Sequence, residues 1–188
     1  VVKDYSQDQI NAVSLLARLE LAGVDVGERW HDVATHLATR VHDQVLPFLD
    51  LQYLYGLARA GRPEADALLG AIVAHAQQAE RAESPQRAAW QQVAVPAAQA
   101  LLAHARGDWP QAVAGLEAAL PRLVAIGGSH AQRDLFAQIH IDALRRSGEL
   151  GGAQHLLRQA ANSQPESRRL GRLAGLVEER LGIPRAGA

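Results

Sequence analysis

The chain has 188 residues, 48% of them hydrophobic but only 4% aromatic, so its interior must be built mainly from alanine, leucine and valine. Alanine and leucine favour helices and small residues let helices approach, which predicts an all-α protein with ample material for a core. A formal net charge of −1 supplies no general field for nucleic acid or anionic lipid, and the absence of cysteine excludes a disulfide framework, a thiol nucleophile and a thiolate metal site.

Of the 19 basic residues only Lys3 is a lysine, a bias that, beside so much alanine, reads as a GC-rich coding habit rather than a phosphate-binding adaptation. No apolar run approaches the ~18–20 residues that span a membrane and no signal peptide opens the chain, so the expected location is cytoplasmic. Methionine is missing even at position 1, which predicts a fragment or a processed product.

Residues 1–8 are polar and are expected to fray. From Gln9 the apolar residues Ile10, Val13, Leu16, Ala17 and Leu19 to Leu21 recur at three- and four-residue steps, predicting a first helix closed by Ala22-Gly23. Asp25, with Glu28 three residues on, reads as a capping box for a second helix faced by Trp30, Val33, Leu37 and Val41. After the break at Val45-Leu46-Pro47, a third helix from Phe48 to Ala60 carries Leu51, Leu54, Tyr55 and Ala58 and ends at Gly61. Arg62-Pro63-Glu64 starts a fourth, which holds Leu68, Ile72 and Ala76 and runs to about Ala82.

Ser84-Pro85 opens the fifth helix, with Trp90, Val93 and Leu101, and Pro96 inside it removes a backbone donor and predicts a kink. Asp108 and Gln111 have capping-box spacing for a sixth helix that runs to about Ala125. Gly127-Gly128 breaks the chain, and Ser129 with Gln132 fits a box for the seventh, which carries Leu135, Phe136, Ile139 and Ala143. The eighth follows Gly148, and Asn162-Ser163-Gln164-Pro165 separates a last helix with Leu170, Leu173, Val177 and Leu181. Residues 9–181 thus read as a single domain, with 182–188 as a disordered tail.

Two stretches repeat. GDWPQAVAGLEAAL from Gly107 and GELGGAQHLLRQAA from Gly148 match at glycine, acidic, alanine and leucine positions with one offset of 41 residues. The glycines that end alternate helices fall at 23, 61, 107 and 148, spaced 38, 46 and 41 apart. That pattern predicts antiparallel helix pairs stacked on one another, with a final helix capping the exposed end.

Gly107-Asp108-Trp109, Ala112, Leu116 and Ala119 resemble the second half of a tetratricopeptide repeat. The unequal spacings depart from that family's 34-residue unit, so the expected solenoid is irregular. The runs RLELAGVDVGERWHDV (from Arg18) and GGSHAQRDLF (from Gly127), with VPAAQALLAHARGD (from Val95), resemble the C-terminal part of proteins similar to tetratricopeptide repeat protein 38. That resemblance implies an α-helical repeat protein whose N-terminal repeats are absent, and it brings no catalytic residue or cofactor.

Candidate chemistry is sparse. Gly127-Gly128-Ser129-His130-Ala131 looks superficially like a hydrolase elbow, but that motif needs a strand before its turn; a glycine break and a serine cap explain it. None of the eight histidines lies four residues from another, and Asp32 with His36 makes only two ligands, so no metal site is expected. Trp30, Trp90 and Trp109 read as core anchors, and Arg168-Arg169-Arg172 as one face of an ordinary amphipathic helix. Gly151-Gly152 belongs to a helix turn rather than to a phosphate loop.

The function expected from these features is a non-enzymatic interaction or scaffold module that grips a peptide or partner helix in a groove lined by the first helix of each pair. The polar residues expected to line it are Arg18, Gln52, Tyr55, Arg59, Gln92, Gln99, Arg133 and Asp142. The competing expectation is an enzyme or small-molecule binder with a pocket near Arg133, Asp134 and His140. A purely structural segment that joins or dimerises a larger chain is the third.

Overall fold

A computed structural model describes residues 2–78 and 85–183, and the described residues form helices and no strands. In chain order these are α1 (Ser6–Leu21), α2 (Arg29–Leu37), α3 (Pro47–Arg59), α4 (Glu64–Gln77), α5 (Pro85–Ala89), α6 (Val95–Arg106), α7 (Trp109–Ala119), α8 (His130–Ser147), α9 (Leu150–Ser163) and α10 (Arg168–Arg180). Gly107 and Gly148 cap their helices in the left-handed conformation, with φ of 81° and 91°, where glycine avoids the Cβ penalty. Ser129 and Gln132 form the full reciprocal box at the start of α8.

Several local expectations need correction. α1 begins at Ser6, so part of the stretch expected to fray is helical. Asp25 does not cap α2; its Oδ1 accepts from the Gly27 amide at 2.8 Å, a short turn that uses the carboxylate before the helix begins. α2 ends at Leu37 and tightens into a 3₁₀ turn over Ala38–Arg40. α7 likewise stops at Ala119, because Pro121 cannot extend an α ladder, and Leu120–Ile126 is a 3₁₀ segment. Asp108 accepts from the Gln111 amide at 3.2 Å, which makes half of the expected box. α4 ends at Gln77, and the expected helix start at Ser84 lies outside the described residues, as do residues 184–188 of the tail.

The proline in the fifth helical run has a specific consequence. Between α5 and α6, residues Trp90–Ala94 widen into a π segment, and the Val95 amide reaches back to the Trp90 carbonyl. An extra residue per turn is one way to make room for a ring that cannot fit the α ladder.

Most helices pack on their neighbours in sequence: α2 on α1 and α3, α4 on α3, α7 on α6 and α8, α9 on α8, and α10 on α9, while α4 also meets α6. The first members of the pairs also touch in order, α1 on α3, α3 on α6, α6 on α8. α1 then packs directly on α8, so these four helices close on themselves. One large core cluster runs from Ile10 and Val13 of α1 to Phe136 and Ile139 of α8, and a smaller one joins Ile141 and Leu144 to α9 and α10 through Leu157, Leu170 and Val177.

α6 packs closely on α7. A Cβ on Gly115 would lie 2.8 Å from both the Ala100 Cβ and the Pro96 carbonyl oxygen, and backbone cannot swing aside. Gly115→Ala is therefore expected to destabilise by about 1–3 kcal/mol despite alanine's better helix propensity. Gly70→Ala, on the exposed side of α4 with nothing within 4 Å, is expected to stabilise by up to ~1 kcal/mol. Urea melts of the two variants check both signs.

Candidate functional site

The C-terminal halves of α3, α6 and α8 meet through polar side chains. Tyr55 Oη lies 3.1 Å from His104 Nδ1, and His104 Nε2 lies 3.1 Å from Asp142 Oδ2. With the imidazole proton on Nε2 directed at the carboxylate, Nδ1 accepts and the tyrosine hydroxyl donates. Asp142 also accepts from Arg145 and Arg146, each at 2.7 Å, the three- and four-residue spacings that bring side chains together on a helix. The Arg146 guanidinium sits 4.9 Å from the Trp109 ring centre, and Trp109 meets His104 edge-on. Beside this chain, Arg59 of α3 pairs with Glu20 of α1 at 2.9 Å.

These groups are committed to one another. Tyr55, His104 and Asp142 are buried, and burial pushes the Tyr55 hydroxyl well above its usual range. Burial alone would raise the Asp142 carboxyl, but hydrogen bonds from His104 and Arg145 and the Arg146 charge hold it well below the usual carboxylate range. The arrangement fastens three helices. It leaves none of Tyr55, His104 and Asp142 free to face solvent as a nucleophile or base.

Of the residues expected to line a groove, Gln52, Tyr55 and Asp142 lie in the packed interior, because the first helices close on themselves rather than opening around a channel. Arg59 is half-buried against Glu20. Gln92 and Gln99 are exposed, and Gln92 accepts from Arg122 at 2.7 Å. Arg133 turns back on its own loop and donates to the Gly127 and Gly128 carbonyls. His140 is buried with neither ring nitrogen hydrogen-bonded, 4.0 Å from Glu117. Burial lowers its affinity for a proton.

Arg18 and Asp134 do come together. They face an open cleft of about 490 Å³ between α1 and the first turns of α8, lined also by Asn11, Ser14, Leu15, His130, Ala131, Gln132 and Gln164. Arg133 and His140 are not part of its wall. Arg18 donates to Ser14 and, at 2.7 Å, to the Ala131 carbonyl, and its Nη2 lies 3.6 Å from Asp134 Oδ2. Burial lowers the Arg18 pKa and Arg169 on α10 works in the same direction, together outweighing Asp134. Asp134 is further anchored by Gln138.

The residues the sequence reading missed fall into two kinds. Arg145 and Arg146 were visible at helical spacing from Asp142, and His104 sits three residues after buried Leu101 on an apolar helix. Ser14, Leu15, His130 and Gln132 carried no signal for a shared cleft, since α1 and α8 are more than a hundred residues apart in the chain. Among the described residues no group of three histidines or carboxylates is placed to hold a metal ion, and no helix is long and apolar enough to cross a membrane. Trp30 and Trp90 are buried as core anchors, whereas Trp109 is half-exposed beneath Arg146. No family model matches the chain, and no solved structure matches it.

Proposed function

We propose that this chain is a tetratricopeptide-like binding module whose ligand seat is the cleft between α1 and α8. The observation that carries this reading is the cleft itself, an open concavity of about 490 Å³ with a half-buried charged pair in its wall. Helix pairing, the turn glycines and the offset of 41 residues between Gly107 and Gly148 support the repeat character. The volume lies in the range of small-ligand and short-peptide sites, whereas a partner helix is about 10 Å across and needs a far longer trough. Binding rather than catalysis is favoured because the acid–base groups Tyr55, His104 and Asp142 are spent on one another.

Filling the cleft tests the reading. Ala131 is exposed on its wall, so Ala131→Trp obstructs the seat without entering the core. A short-peptide library and a metabolite set are screened by thermal shift against both proteins. Ligands that stabilise the wild type and fail on Ala131→Trp are the expected result. Ligands indifferent to the tryptophan, or no ligand in either set, would overturn the proposal.

A further inference from the structure

The wall of the α1–α8 cleft carries opposite charges side by side. Arg18 and Asp134 are both partly open to solvent, with side-chain exposures of 29% and 32%. Their separation of 3.6 Å is loose beside the other described arginine–carboxylate pairs that join two helices, Arg59–Glu20 at 2.9 Å and Arg106–Asp66 at 2.6 Å. Each partner is nonetheless held in place by a neighbour, Arg18 by Ser14 and the Ala131 carbonyl, Asp134 by Gln138. A pre-positioned cation and anion that do not fully satisfy each other form a template for a ligand bearing the reverse pair.

We propose that this cleft takes a free α-amino acid, with Arg18 holding the carboxylate and Asp134 the ammonium. Only the shared Cα separates those two groups in the ligand, which suits charges that stand this close in the wall. A planar guanidinium is suited to a carboxylate, while a carboxylate accepts from an ammonium without needing a fixed direction. Gln132 and Gln164 supply neutral hydrogen-bonding groups around the charged pair, and Leu15, largely exposed, offers an apolar surface to the ligand side chain. The inference rests on the cleft being the seat.

The twenty free L-amino acids are titrated singly by calorimetry, and the tightest is compared with its N-acetyl and carboxamide derivatives. Loss of either charge is expected to weaken binding about tenfold to a hundredfold. Arg18→Gln should erase the preference over the carboxamide and keep the preference over the N-acetyl form; Asp134→Asn should do the reverse. That crossed pattern is one a merely destabilised variant does not produce. No saturable amino acid, or derivatives that bind as well as the parent, would overturn the inference. If peptides from the library screen are still excluded by Ala131→Trp, the cleft stands and only the zwitterion assignment falls; if nothing is excluded, both fall.

Discussion

Asp142→Ala is expected to lose about 3–5 kcal/mol of folding stability at neutral pH, read as a fall in the urea midpoint with an unchanged slope. The carboxylate accepts from His104, Arg145 and Arg146 at 3.1, 2.7 and 2.7 Å, and its removal leaves His104 buried with one ring nitrogen unpaired. The arginines can turn to water, since their side chains are 27% and 49% exposed, so the imidazole bears the larger part of the loss. Asp142→Asn keeps the shape and an acceptor oxygen and should fall between the wild type and the alanine variant.

The pH dependence follows from the depressed carboxyl. A carboxylate whose folded pKa lies below its unfolded one contributes stability that is present above the unfolded value, near pH 4, and lost as pH falls further. Wild type should therefore weaken steeply below pH 4, and Asp142→Asn should show a shallower acid limb. An acid limb identical in the two proteins would mean that this carboxylate is not held by the network.

The second large effect has the opposite sign. Asp50, in the first turn of α3, is 1% exposed and neither carboxylate oxygen has a hydrogen-bond partner. Burial, then the nearby Asp43 charge, push its carboxyl up from 3.8 to about 7. Folding therefore favours the neutral acid. The Asp50 contribution to stability is full below about pH 4, declines as pH rises to about 7, and stays low beyond it, a difference of roughly 4 kcal/mol at 1.36 kcal/mol per pKa unit. Asp50→Asn removes the charge and keeps the shape. The two proteins should match near pH 4, and the variant should lead by about 4 kcal/mol at pH 8. Denaturant melts across that range check it; a constant offset would show that ionisation of Asp50 is not responsible.

Much of the local architecture was legible in the sequence. Periodic apolar residues announced most of the helices, and Gly107, Gly148 and the Ser129–Gln132 box marked ends and starts because a left-handed turn and an N-terminal cap each have a narrow choice of residues. Where one side chain had two possible uses, the reading failed. Asp25 had the spacing of a cap and instead closes a turn onto Gly27, since a short carboxylate can satisfy either amide. Pro96 marked an interruption of the helix, and the chain widens there into a π segment over Trp90–Ala94, a form that the pattern did not specify.

The site divides along the same line. By itself the sequence determined the helical class and the capping glycines, because helix periodicity and turn geometry act over a few residues. Only the tertiary structure decided that α1 packs against α8. That contact joins segments more than a hundred residues apart through a shared apolar core and the Arg18 hydrogen bond to Ala131, and neither has a signature of its own in the sequence. It sets Arg18 beside Asp134 in a cleft that no local pattern announces, while Gln52, Tyr55 and Asp142 lie buried where an open groove was expected.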